Sequence, residues 1–166
     1  MADRFPMTPR GQKILKDELK RLREVERPKN VQDIEEARAH GDLRENAEYH
    51  AAKERQSFIE GRSREIESIL AQADVIDPAK LSGTRVVFGA TVKLTDTDTA
   101  EDVTYSIVGD HEADIKASRI AISAPLARAL IGKEEGDVVT MKTGKGMREY
   151  QIAQVRFEPV AHDEQA

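Results

Sequence analysis

The stretch Val31–Ile59, VQDIEEARAHGDLRENAEYHAAKERQSFI, decides the fold, because Gly41 is the one conformational breaker between two segments with helical spacing. Upstream of it, apolar residues recur at Leu15, Leu19 and Leu22 and again at Val31, Ile34 and Ala37. Downstream, Ala52, Ile59, Ile66, Ile69, Ala73 and Ile76 keep a three-four spacing. Each set makes one apolar stripe on a helix, and such a stripe is stable only when buried against another. The pattern therefore predicts an antiparallel two-helix coiled-coil hairpin with its tip at residues 40–45. Thr8-Pro9 supplies an N-cap and a proline suited to the first helical position, and Pro28 predicts a kink in the first arm. Thirty-odd residues per arm give rods of about 50 Å, most of whose faces stay in water.

Outward from the hairpin, the chain changes character at Asp77-Pro78: three of the ten glycines precede it and seven follow, with β-branched runs between them. Candidate strands are Arg85–Phe88, Ala90–Leu94, Val103–Val108, Arg119–Ile122, Asp137–Met141 and Arg148–Val155. One short helix interrupts them, starting at Ser123 and Pro125, presenting Leu126, Ala129 and Leu130, and stopping at Gly132. The expected organisation is α+β: a hairpin over residues 1–77, a small β-rich domain over 78–160 and a short tail over 161–166.

Composition removes several classes of function. The 166 residues contain no cysteine, which excludes disulfides, thiol catalysis and zinc ribbons and fits a reducing compartment. No run approaches the ~20 apolar residues of a membrane span, and the N-terminus lacks the apolar core of a signal peptide, so the chain is expected in the cytoplasm, away from membranes. With 26 Lys and Arg against 31 Asp and Glu, the net charge of −5 gives no general attraction to nucleic acid. Aromatic residues make up only 4%, too few for a single-strand stacking platform.

The densest polar cluster is the tip, GDLRENAEYH from Gly41 to His50. Asp42 and Glu45 are three residues apart, hence on one helix face, and two readings of them stand side by side. Asp-x-x-Glu after a glycine is a capping box, in which both side chains serve backbone N–H groups. Equally, two carboxylates at the end of a long rod are hard oxygen ligands that can complete a metal site in a partner's cavity. His40 and His50, ten residues apart across a turn, make no metal-ligand motif. Arg55, Arg62 and Arg64 with Glu60, Glu65 and Glu67 read as solvated pairs along the helix face.

The run FPMTPRG from Phe5, the tip string EARAHGDLRENAEYHAAKERQ from Glu36, and VIDPAKL, VVFGATVKL, YSIVGDHEADI and APLARALIGKEEGDVV beyond it together resemble the Gre factor family of bacterial transcript cleavage and elongation factors, over nearly the whole chain. The resemblance implies a coiled coil that enters the secondary channel of RNA polymerase and an FKBP-like C-terminal domain that docks on the channel rim. It implies that Asp42 and Glu45 are the acidic tip residues used in RNA hydrolysis, sharing a second Mg²⁺ with the polymerase and holding none stably alone. Arg38 and Lys53 match a basic patch for the nascent RNA 3′ end, Tyr49 a support of the tip, and Ser123, Pro125 and Leu126 the docking surface. The factor is then no enzyme itself but a monomer that stimulates the polymerase. Two alternatives remain: an inhibitory relative that occludes the same channel, whose tip carries extra acidic residues, and a peptidyl-prolyl isomerase. The second is opposed by the few aromatics available, Phe88, Tyr105, Tyr150 and Phe157, most at positions a small core would claim.

Overall fold

Thr8 starts the first arm by local chemistry. Its Oγ1 accepts the Gly11 N–H at 3.2 Å and its carbonyl accepts the Gln12 N–H at 3.1 Å, so that Pro9 opens helix α1 (Pro9–Arg21). The computed structural model describes residues 4–41, 46–144 and 146–159. The chain divides into two compact units. One is Lys13–Gln72, and the other joins Arg4–Gln12 to the segment from Ala73 onward, so α1 begins in the β-rich unit rather than in the helical one.

The kink expected at Pro28 takes the form of a π-turn over Leu22–Glu26, closed by the Arg27 N–H donating to the Leu22 carbonyl, before helix α2 (Arg27–Ala39). Proline has no N–H for the carbonyl four residues back and its ring crowds that carbonyl, and a widened preceding turn relieves both. The turn also re-phases the apolar stripe. Leu22 and Ile34 are twelve positions apart. Three α-turns take only about 10.8 residues, and the widened turn absorbs the excess. Leu15, Leu22, Ile34 and Ala37 are accordingly buried. Val31, expected on the stripe, is 47% exposed, and Asn30 takes the inward position at 3%. Its Nδ2 donates to the Ala52 carbonyl at 2.9 Å, pinning one arm to the other.

Helix α3 (Ala47–Ala71) returns antiparallel and buries Ala52, Ile59, Ser63, Ile66 and Ile69. At ~1.5 Å per residue it is about 37 Å long, shorter than the rod read from sequence. Ala73 and Ile76, expected on its stripe, lie beyond its end. Ala73–Val75 is strand β2, paired parallel with β1 (Phe5–Met7), and the Ile76 N–H donates to the Met7 carbonyl at 2.9 Å. Asp77 precedes a proline, which disfavours helical backbone there, and β1 supplies the pairing edge that a helix would forgo.

Charged side chains expected to pair along α3 instead reach across the hairpin. Arg27 holds Glu60 through two bonds at 2.8 and 3.1 Å, and Arg62 holds Glu18 at 3.0 and 2.8 Å. Arg55 pairs with Glu26 and Arg23 with Glu67, while Arg62–Glu65 at 3.3 Å runs along the helix. Antiparallel arms bring flanking positions face to face, as the positions beside a coiled-coil seam do. The hydrogen bond from Arg55 holds the Glu26 carboxyl below its ordinary value, and the bond to Glu18 raises the Arg62 guanidinium. Such exposed pairs are screened by solvent and add little stability, so their main effect is on register.

The second unit is a five-stranded sheet in the order β5-β4-β3-β7-β6, made of β3 (Thr91–Asp96), β4 (Asp102–Val108), β5 (Arg119–Ala121), β6 (Val138–Thr143) and β7 (Gly146–Arg156). All neighbours are antiparallel except β4 and β5, and a bulge at the Lys93/Leu94 register shift curls the sheet. Helix α4 (Pro125–Leu130) closes the core through Ala127 and Leu130, which pack with Val92, Leu94, Ile107 and Ile152. The fold class is thus the one expected, a helical hairpin followed by a small β-rich domain. Arg85–Phe88 is not a strand. Arg85 makes one isolated bridge to Glu134, and the chain turns at Gly89, whose φ of +87° suits glycine, leaving too few residues for a ladder.

The β3–β4 connection is organised by Asp96, whose Oδ1 accepts the Asp98 and Thr99 N–H groups at 2.8 and 3.2 Å. These backbone donors, with Arg148 nearby, hold its carboxyl below the ordinary value. A depressed folded pKa adds stability that is complete above the unfolded value of about 3.9 and is lost as pH falls through the folded one. Denaturant unfolding should therefore show a shallower acid limb below about pH 4 in Asp96→Asn than in the parent. Parallel acid limbs would remove Asp96 from this role.

Candidate functional site

The tip is built by Asn46. As the N-cap of α3 it accepts the Tyr49 N–H through Oδ1 at 3.0 Å, and its Nδ2 donates to the Ala37 carbonyl of α2 at 2.6 Å. One side chain therefore caps one helix and ties it to the last turn of the other. The cap expected from Asp42 with Glu45 is thus placed at Asn46, four residues later. Asp42 and Glu45 themselves lie outside the described residues. Sequence reasoning passed over Asn46, although asparagine is among the best N-caps and a helical run follows it directly.

Around this cap, Tyr49 is half-buried and the Arg38 guanidinium lies 6.0 Å from its ring centroid, across the hairpin. Tyr49 also meets His50 edge to face at 5.8 Å. Lys53, on the opposite arm from Arg38, bonds the Gln56 side chain at 2.7 Å, one turn further along. The structure thus brings Arg38 to Tyr49 and leaves Lys53 on its own helix. On one flank an open groove of about 380 Å³ is lined by Asp33, Glu36, His40, Glu48 and Arg55. His40 Nε2 stands 4.0 Å from Glu48 Oε2. Among the described residues no three His, Cys, Asp or Glu side chains come together as a metal-binding set.

In the β-rich unit, the residues expected to dock lie at the start of α4. Ser123 does not cap the helix: its Oγ donates to Asp110 Oδ1 at 2.7 Å and its N–H to the same oxygen at 3.2 Å, and Ala124 occupies the cap position. Pro125 is exposed at the first helical position, whereas Leu126 packs partly against the core. Tyr105, Tyr150 and Phe157 also pack against that core. A cavity of about 350 Å³ over β3 and β4 is lined by Gly89, Thr91, Ser106, Ile107, Arg119 and neighbouring residues, none of them aromatic. Among the described residues no helix is long and apolar enough to cross a membrane.

Two family models match in succession along the chain. Residues 5–75 match the N-terminal domain family of the GreA/GreB transcription elongation factors, and residues 81–157 match their C-terminal domain family. The chain is 57% identical to the transcription elongation factor GreA of Phenylobacterium zucineum over 93% of its own length and 99% of that protein's. It is 59% identical to the GreA of Xanthomonas axonopodis pv. citri, covering 93% and 98%. A solved structure of the transcription factor Gfh1 is similar at 28% identity, with 93% of this chain and 99% of that one covered and a TM-score of 0.45. The chain belongs to the GreA/GreB transcription elongation factor family.

Proposed function

We propose that the protein binds RNA polymerase through its β-rich unit, presents the hairpin tip in the secondary channel, and stimulates cleavage of the 3′ end of backtracked RNA by the polymerase's own active site. Membership of the family over both units supports this reading, and the observation that carries it is the Asn46 cap. The N-cap position of α3 is filled by Asn46, so capping that helix does not call for Asp42 or Glu45.

Two carboxylates fit magnesium by donor chemistry but are fewer ligands than the ion requires, so the ion in this reading is held jointly with the polymerase. It supplies the activation and orientation of water for phosphodiester hydrolysis. Asp42 and Glu45 contribute negative oxygen donors at the end of a stiffened hairpin. Arg38, held against Tyr49, and Lys53 offer positive charge to RNA phosphates on either arm. The protein alone is then no nuclease. Adding it with Mg²⁺ to arrested elongation complexes should shorten 3′-extended transcripts, while the protein with free RNA should leave it intact. Unchanged transcripts in the arrested complexes would refute the reading.

A further inference from the structure

One row of polar side chains runs in register across four strands of the sheet. Arg119 on β5 stands opposite Ser106 on β4, Ser106 opposite Thr91 on β3, and Thr91 opposite Arg156 on β7. Residues directly opposite each other share a face, and their neighbours along each strand, Ile120, Ile107, Val92 and Val155, all belong to the core. The row therefore lies on the face turned away from the core, as cation, two hydroxyls and cation. The cavity of about 350 Å³ is lined by three of the four, Thr91, Ser106 and Arg119. Arg119 is only 8% exposed, and its Nη2 stands 3.9 Å from Oδ2 of Asp114, whose Oδ1 accepts the Lys116 N–H at 3.1 Å. The Thr91 and Ser106 hydroxyls are 3.0 Å apart, and whichever of them donates, the other keeps a hydrogen for a further acceptor. Glu158 also lines the cavity, with its carboxylate paired to Arg156 at 3.6 Å.

We propose that this cavity of the β-rich unit is a binding site for a phosphoryl group, held by the Arg119 guanidinium and the Thr91–Ser106 hydroxyl pair. A guanidinium presents a fork of N–H donors that matches two phosphate oxygens, and a phosphoryl group has a third oxygen out of that plane for the hydroxyl. A carboxylate has only two oxygens, both taken by the fork. Burial strengthens the attraction, because a cation and an anion that meet away from water are screened less than at an open surface. The Arg156–Glu158 pair offsets the one negative charge among the described lining residues. At this volume the cavity is at the small end of ligand sites, roughly 300–1,000 Å³, which suits a free phosphate or the end of a small phosphorylated molecule.

The test is a nitrogen-15 amide titration of the full-length protein with inorganic phosphate and, separately, with adenosine 5′-monophosphate, against chloride at matched ionic strength. The amides of Thr91, Ser106 and Arg119 should shift saturably, with half-saturation at millimolar phosphate. Arg119→Met, which keeps an apolar stem and removes the charge, should weaken binding about tenfold or more, and Ser106→Ala about threefold. Arg119→Lys should fall between the parent and Arg119→Met, since an ammonium keeps the charge without the fork. Binding of the ester at least as tight as that of phosphate would support a phosphorylated molecule as the occupant, and tighter binding of phosphate would support the free ion. Absence of a saturable shift along the row in the parent would overturn the proposal, and so would parent affinity in both Arg119→Met and Ser106→Ala. Should Arg119→Met fail to fold, unaltered affinity in both Arg119→Lys and Ser106→Ala overturns it equally.

Discussion

The double substitution Asp42→Asn with Glu45→Gln should reduce stimulated transcript cleavage about a hundredfold or more, with folding and polymerase binding unchanged. The amides keep the size of the side chains and remove their charge, and a neutral amide oxygen is a poorer magnesium ligand than a carboxylate. The capping explanation predicts little else from this change, since Asn and Gln both serve in caps. Here that explanation is already met by Asn46, which holds the Tyr49 N–H and the Ala37 carbonyl. Helicity and melting temperature should therefore match the parent within experimental error. Asn46→Ala is the complementary change, expected to fray the start of α3 at a cost of about 1 kcal/mol. Competition with the parent for polymerase, run beside the cleavage assay, separates lost chemistry from lost binding. A fully active double variant would return Asp42 and Glu45 to the status of surface charge.

The hairpin was legible because its information is local: Gly41 stands alone between two stripes, and each stripe repeats within a few turns. What escaped depends on partners distant in sequence. The three-residue strands at Phe5–Met7 and Ala73–Val75 are too short to show a period, and each exists only because the other lies beside it. The exchange of Val31 for Asn30 follows from the π-turn, whose extra residue is hinted at only by the twelve-residue step from Leu22 to Ile34. The tip carboxylates were visible as chemistry, whereas the Asn46 cap was hidden behind a more familiar Asp-x-x-Glu pattern. Arg119 carried no signal at all in a chain rich in charged residues, since only the fold shows it buried and in register with Ser106 and Thr91.

Asn30→Asp should be the most damaging single-atom change in the hairpin, destabilising it by about 3 kcal/mol at neutral pH. The native side chain is 3% exposed and donates to the Ala52 carbonyl at 2.9 Å. Aspartate has nearly the same shape but, when ionised, turns a donor into a negative oxygen facing another oxygen in a place with little water. Burial and that repulsion both oppose ionisation, so the folded pKa of the new carboxyl must lie above its unfolded value of about 3.9. The sign of the pH dependence follows, for a group whose folded pKa is raised binds its proton more tightly when folded. Stability should then return as pH falls from 7 through the folded pKa, because a protonated carboxyl again donates to Ala52, and should gain nothing more below about 4 from this residue. The parent has no such term, so the gap between the two proteins in urea unfolding should narrow steadily between pH 7 and pH 4. Asn30→Leu should cost less than Asn30→Asp at neutral pH, and its cost should not change with pH, since the Ala52 carbonyl keeps its bond within α3 and no charge is buried. A gap between Asn30→Asp and the parent that is independent of pH would mean that the position is open to water, and that the arms are not pinned at this point.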